Sequence, residues 1–273
     1  MAKILPSTRL LPANPIRAVD LLASAGFSEI EVNYASFERS NVDYPSLPNW
    51  LRLVLLEALR LGVSVPVVHG PWEDYFLPYL GRGVEAAVSE ALLLAEISHG
   101  YGVEILVLHP FSARRLGAGR ATWINKRFFA ILAERLEAEE LGLRIAVENT
   151  SREPPWNNIS ETRGLVEAVA SEKIGMCLDF GHAGINGYTP GAALKEAAGR
   201  EICIHLHDNH GRADEHLPPG CGSLDWSSLA EAPKTRATYI VLESDCSGGT
   251  RNCLARLRSA AVSAKVLLEP VLP

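Results

Sequence analysis

Eight short β-rich runs alternate along the chain with stretches whose apolar residues recur three and four apart. The runs occupy 3–5, 29–33, 65–69, 104–109, 144–148, 175–179, 201–207 and 238–243, and the helical patterns include 50–61, 84–98, 122–141 and 191–198. Parallel pairing follows, because strands joined through helices need long, right-handed crossovers. A count of eight favours closure into a single α/β (β/α)8 TIM barrel over an open sheet. The first run is not followed by a Gly-rich phosphate loop, which argues against a dinucleotide-binding sheet. Glycine follows several helical patterns, at Leu61-Gly62, His99-Gly100 and Leu141-Gly142, and predicts left-handed helix ends there. No linker, low-complexity segment or charge block interrupts the pattern, so one domain over 1–273 is expected.

Composition narrows the partners. Hydrophobic residues make up 47% of the chain and charged residues 21%, proportions of an ordinary globular enzyme. The formal net charge of −6 leaves no whole-chain basic footprint for nucleic acid, although bound divalent ions would reverse the local sign. No run reaches membrane-spanning length, and MAKILPSTRLLP at the amino terminus lacks the apolar core of a signal peptide. Five cysteines, scattered without a CxxC pair, predict reduced thiols in a cytoplasmic protein.

The chemistry is concentrated at the carboxyl ends of the runs, where barrels of this kind place their active sites. Those ends carry Glu31, His69 in VVHGPW, His109 in LVLHP, Glu148 in IAVENT, Asp179 and His182 in CLDFGHA, His205 and His207 in IHLHDN, and Glu243 in VLES. Seven of the eight histidines lie at or just beyond such an end; His99 does not, and sits where a positive charge complements a helix terminus. Two residues before the candidates stand Val67, Val107, Ala146, Cys177, Cys203 and Val241. Side chains two apart share a strand face. Small apolar residues therefore fill the barrel, and His69, His109, Glu148, Asp179, His205 and Glu243 converge above them. Imidazoles and carboxylates without a thiolate cluster suit Zn²⁺, Mn²⁺ or Co²⁺. The stretch HLHDNHGRADEH, residues 205–216, extends the set. Asp214 and His216 fold back over the same opening, His207 backs the ligands from the same strand face, and His210 is a loop residue.

These residues resemble those of the xylose isomerase-like TIM-barrel superfamily, which covers sugar and sugar-phosphate isomerases and epimerases and the endonuclease IV type of abasic-site nuclease. The resemblance runs from VVHGPW to VLES. It is most specific in LDFGHA and in HLHDN followed by DEHLPPGCGSLDW, whose end is similar to the family's Pro-Gly-x-Gly-x-(Ile/Leu)-Asp-Trp. In the epimerase branch it implies one Mn²⁺-type ion held by Glu148, Asp179, His205 and Glu243, with His182 as a substrate contact. In the nuclease branch it implies three zinc ions, with His69, His109, His182, Asp214 and His216 as further ligands. Against the nuclease, AKILPSTRLL lacks the histidine those enzymes carry in the first strand, and GPWEDYFLPYLG differs from the loop that enters the DNA groove. Nor does a stripe of Lys, Arg and aromatics track a backbone. Arg114, Arg115 and Arg120 read as a solvated loop rather than a phosphate site. Trp72, Trp156 and Trp226 follow the third, fifth and seventh runs, as an apolar wall for a sugar ring or as loop packing. Trp72 and Trp156 join His182 and His207 as candidate substrate contacts.

The expected function is isomerisation or epimerisation of a small sugar or sugar phosphate, dependent on one to three ions of Zn²⁺ or Mn²⁺. Glu148 and Glu243 exchange protons with substrate carbon through a metal-stabilised enediolate. The alternative is a multi-zinc phosphodiesterase or abasic-site endonuclease, and a barrel that binds sugar or metal without turnover is a third class. His182 separates the first two. If its tip meets those of Asp214 and His216 within about 4 Å of one point, a separate three-ligand site exists, as multi-metal hydrolysis requires. If it points over the Glu148–Glu243 pair, it is placed to bind a sugar hydroxyl.

Overall fold

All eight strands form, and each lies within one residue of the run read from the sequence. A computed structural model describes residues 2–11, 13–38, 40–246 and 249–273. The strands are β1 (Lys3–Pro6), β2 (Glu29–Asn33), β3 (Ser64–His69), β4 (Ile105–Leu108), β5 (Arg144–Glu148), β6 (Ile174–Asp179), β7 (Glu201–Leu206) and β8 (Tyr239–Leu242). They pair in parallel in the order β1-β8-β7-β6-β5-β4-β3-β2, a nearly closed (β/α)8 TIM barrel. The remaining seam, between β1 and β2, is bridged by Ser7 and Glu31. Beside that bridge the Asn33 N–H donates to Thr8 Oγ1 at 2.9 Å.

Two apolar layers hold the barrel. Inside it, Leu5, Val67, Ile105, Val107, Ala146, Cys177, Cys203, Tyr239 and Val241 form one buried cluster, which contains all six residues assigned to the interior from strand periodicity. Outside it, helices pack through one face each. The helix Leu47–Arg60, for example, buries Leu47, Leu51, Val54, Leu55 and Ala58, a three-and-four spacing. Each fully buried Leu or Val side chain contributes about 1.5–3 kcal/mol. The polar side chains above the interior layer thus stand on a rigid, dry floor.

Some local expectations are corrected. Gly62 has the left-handed backbone expected of it, but Gly100 still belongs to the helix Val84–Gly100, and Gly102 takes the positive φ. The helix Ala118–Ala138 stops short of its apolar pattern, so Glu140 is the left-handed residue. Gly142 instead makes room for the His99 ring, which a Cβ there would approach to 3.3 Å. Not all thiols are free: Cys246 and Cys253 form a disulfide, while Cys177, Cys203 and Cys221 do not pair. A spacing of seven residues carries no sequence signal of pairing. Among the described residues, no helix is long and apolar enough to cross a membrane.

The connection from β7 to β8 carries Asp214 and His216, and one buried carboxylate anchors it. Asp208 Oδ1 accepts the Asn209 and Leu224 N–H groups at 2.8 and 3.2 Å, and Oδ2 accepts Gly220 N–H and Trp226 Nε1–H, both at 2.9 Å. A two-way backbone pair between Asp208 and Leu217, 2.8 Å in each direction, closes the loop at its neck. Gly220 has φ +83°. A Cβ on Gly222 would collide with the Asp208 carboxylate and the Asn209 carbonyl. The PPGCGSLDW run is therefore the receptor for Asp208. Gly222→Ala should cost about 1–3 kcal/mol through overpacking, read as a lower denaturant midpoint. Gly164→Ala, in the helix Ile159–Val169 where a Cβ meets nothing, should instead gain about 0.5–1 kcal/mol. Equal shifts in the two variants would contradict this reading of the loop.

Candidate metal centre

Glu148, at the end of β5, is the hub of the polar layer. His69 from β3 and His109, one residue past β4, each place Nε2 3.0 Å from Glu148 Oε2. The other carboxylate oxygen, Oε1, lies 3.1 Å from His205 Nδ1. That same nitrogen is 3.6 Å from Glu243 Oε2 and 3.9 Å from Asp179 Oδ2. Further out, His182 and His216 both aim Nε2 at Asp214 Oδ2, each at 3.2 Å. The nine residues singled out as ligands thus gather into three adjoining groups. His182 meets the first of its two geometric alternatives, a separate three-ligand group with Asp214 and His216.

Hydrogen bonding fixes which nitrogen each ring presents. His69 Nδ1 donates to the Gly70 carbonyl at 2.8 Å, His182 Nδ1 to the Asn149 carbonyl at 2.9 Å, and His216 Nδ1 to the Glu243 carbonyl at 2.7 Å. With the proton on Nδ1, each Nε2 of a neutral ring directs a lone pair at a carboxylate oxygen. Two acceptors facing each other at 3.0–3.2 Å need either a second ring proton or a cation between them. Ligands on a tetrahedral ion at about 2.0–2.1 Å stand about 3.3 Å apart, close to the spacings found. Nitrogen and carboxylate donors suit Zn²⁺ or Mn²⁺. The residues present therefore fit divalent ions in type, tautomer and spacing. Asp179 is oriented in turn: Oδ1 accepts the His182 N–H at 2.6 Å, as the cap of the helix Phe180–Ile185, and Oδ2 accepts His207 Nε2–H at 3.1 Å.

Charge in this layer is tightly coupled. Burial pushes the Glu243 carboxyl up to about 7, although the His205 ring opposes the shift. Burial disfavours a charged His182, but the Asp179 and Asp214 carboxylates outweigh it and push the ring up to about 10. Burial, with His207 beside it, drives His216 down to about 4. Ligands must lose their protons to hold an ion. Below pH 7 an ion must displace the Glu243 proton, and up to pH 10 it must displace the His182 proton. Zn²⁺ affinity should therefore rise with pH. It should fall more steeply below pH 7, by about tenfold per unit for each further proton displaced. Affinity independent of pH between 5.5 and 8, measured by competition with a chelator, would remove these ligands from the site.

The centre opens into a pocket of about 200 Å³ lined by Arg9, His69, Trp72, His109, Glu148, Thr150, Ser151, Glu153, His182, Asp214, His216 and Glu243. Trp72 is on this wall, its ring 4.9 Å from His69 and 4.6 Å from His109. Trp156 is not. It is buried in the core with its indole N–H donated to the Phe111 carbonyl at 2.8 Å, so it corrects the expected wall. Trp226 likewise serves the Asp208 anchor. His207 is fully buried and does not line the pocket. It stacks on His216 at 3.9 Å and supports Asp179 rather than meeting a substrate. Arg114 and Arg115 pair with Glu153, Glu73 and Asp74. His210 is exposed and hydrogen-bonded to Glu215.

Two groups near the centre escaped the sequence reading. Arg9, on the turn after β1, brings a guanidinium into the pocket 3.3 Å from Asp245. The signal in the sequence is its position just beyond the first strand, on the rim where the other candidates lie. Asn33, two residues beyond Glu31 on the same strand face, donates to Glu243 Oε1 at 2.6 Å.

A barrel with converging imidazoles and carboxylates at its carboxyl rim defines a class, and the family follows from it. A model of the xylose isomerase-like TIM barrel family matches residues 19–263, and the chain belongs to that family. It is 28% identical over 178 residues to the uncharacterized protein MJ1311 of Methanocaldococcus jannaschii. That match covers 62% of this chain but 59% of the relative, so the chain spans less than two thirds of that protein's length. Among solved structures it is similar to a D-tagatose 3-epimerase-like protein, with 22% identity, 98% of each chain covered and a TM-score of 0.73. It is also similar to an IolI protein with a bound zinc atom, with 17% identity, 98% and 99% coverage and a TM-score of 0.73. At these identities the likeness is one of fold.

Proposed function

We propose that the chain is a metal-dependent isomerase or epimerase of a small sugar or sugar phosphate. The observation that carries this reading is the bracketing of His205 Nδ1 by Glu148 and Glu243, at 3.1 and 3.6 Å, at a pocket of about 200 Å³. Such a volume suits a molecule of a few carbons and excludes a polymer from the floor. Glu148, Asp179, His205 and Glu243 are the residues to hold an ion. When bound there, a divalent ion polarises a substrate carbonyl and stabilises charge on the adjacent oxygen.

Glu148 and Glu243 come from β5 and β8 and approach from different sides. One takes a proton from the carbon beside the carbonyl, and the other serves the opposite face. Burial raises Glu243 to about 7, which suits a base working near neutral pH. Trp72 covers the pocket and limits water, while Arg9 offers the substrate a fixed positive charge. The epimerase-like protein and the zinc-bound IolI protein of the same fold agree with this chemistry.

A second reading, multi-metal phosphodiester hydrolysis, is favoured by one observation: the three-ligand group of His182, Asp214 and His216. Against it, Arg114 and Arg115 at the rim are paired with Glu153, Glu73 and Asp74, which offsets the charge they would offer a nucleic acid backbone.

Purified protein supplied with Mn²⁺ or Zn²⁺ should exchange carbon-bound hydrogen of a sugar with deuterated water. Glu148→Gln and Glu243→Gln should each slow that exchange by about 10²–10⁴-fold. No exchange across a panel of sugars and sugar phosphates would defeat the proposal. Asp214→Ala separates the readings. Unchanged metal content with lost exchange supports the sugar enzyme, whereas loss of ions together with chelator-sensitive cleavage of an abasic-site oligonucleotide supports the hydrolase.

A further inference from the structure

Strand β2 supplies none of the nine ligands, yet it carries two fully buried polar side chains against them, Glu31 and Asn33. Burying such groups costs free energy unless each is satisfied and useful where it sits. Their partners state the use. Asn33 Oδ1 accepts the Ala35 N–H at 2.9 Å, which fixes the amide so that its nitrogen faces the centre. Nδ2 then donates to Glu243 Oε1 at 2.6 Å and to Glu31 Oε2 at 3.3 Å. One oxygen of Glu243 is thereby engaged, and the other, Oε2, is the one directed at His205 Nδ1.

Glu31 acts on the opposite edge of the same ring. Its Oε1 lies 3.4 Å from His205 Nε2, and neither atom has a hydrogen-bond partner by strict geometry among the described residues. His205 offers Nδ1 to the carboxylates of Glu148, Asp179 and Glu243. Nδ1 can ligate only with its lone pair free, so the ring proton must sit on Nε2. The thiols of Cys177 and Cys203 also lie within 4.8 Å of a His205 ring nitrogen, and sulfur is a weak acceptor. The Glu31 carboxylate is the strong one.

We propose that Glu31 and Asn33 are positioning residues of the metal centre, holding His205 and Glu243 so that each offers it a single atom, Nδ1 and Oε2. The proposal rests on the metal-dependent reading of the site. Even without an ion Glu31 is held as a carboxylate by the buried His205 and His69 rings, and its effect on the centre comes through His205.

The test compares wild type with Glu31→Gln and Asn33→Ala, measuring Zn²⁺ affinity by chelator competition and the melting temperature of the metal-free protein. Groups that orient ligands change metal affinity by about 10–100-fold, and that loss is expected in both variants. Metal-free Glu31→Gln should melt somewhat below the wild-type temperature as well, because the carboxylate loses its charge pairing with the buried His205 ring, so the fall in affinity is the deciding readout. A purely structural role would lower the melting temperature with affinity unchanged, and would overturn the proposal. So would wild-type affinity in both variants. Wild type that takes up no Zn²⁺ would overturn the metal reading itself, and the positioning role with it.

Discussion

Imidazole nitrogens held against carboxylate oxygens, each pair needing a proton or a cation between its atoms, are the constraint on which the rest of the structure depends. Glu148, Asp179 and Glu243 are buried at the barrel mouth, with Asp214 just above them. Water cannot solvate the buried charges, and an uncompensated buried charge is far costlier than any single packing contact. The rings around them are locked through Nδ1 by main-chain carbonyls of Gly70, Asn149 and Glu243. Those carbonyls follow the strand ends directly, so ring orientation inherits the rigidity of the barrel. An ion shared among these groups turns opposed acceptors into a ligand set.

Several local features make sense as service to that layer. The interior cluster of small residues lets eight strand ends approach one axis without filling it. Asp179 both caps a helix and faces His205, so one side chain fixes the start of Phe180–Ile185 and the orientation of a candidate ligand. The Asp208 anchor does the same for the outer group, because it sets the path of the loop that returns with Asp214 and His216. The β1–β2 seam is the place where the sheet ladder is thinnest, and it is where Arg9, Glu31 and Asn33 enter. Side chains there take over bonding that strand pairing supplies elsewhere.

The barrel and the convergence of polar side chains at its mouth were legible because both follow from period-two strands ending in chemically distinct residues. Val67 under His69 and Ala146 under Glu148 are the kind of pair that such periodicity predicts. What was not legible depends on loops. Trp156 and Trp226 lie in connections whose course is set by long-range hydrogen bonds, to the Phe111 carbonyl and to Asp208, and no local pattern encodes those. His207 shares a strand face with His205 but stands one residue past the end of β7, deep enough to stack under His216 and be shut off from the pocket. Arg9 sits within the three-residue turn Thr8–Leu10, which brings it to the seam. The Cys246–Cys253 pairing likewise depends on how the segment after β8 turns into the helix Thr250–Leu268.

Glu148, Asp179, His205 and Glu243 are proposed to hold an ion. Anomalous diffraction at the zinc or manganese edge, from crystals grown with the metal, addresses this most directly. A peak is expected about 2.0–2.2 Å from His205 Nδ1 and from an oxygen of each carboxylate. Fully loaded crystals that show no peak there, with the four side chains in the positions described, would contradict it.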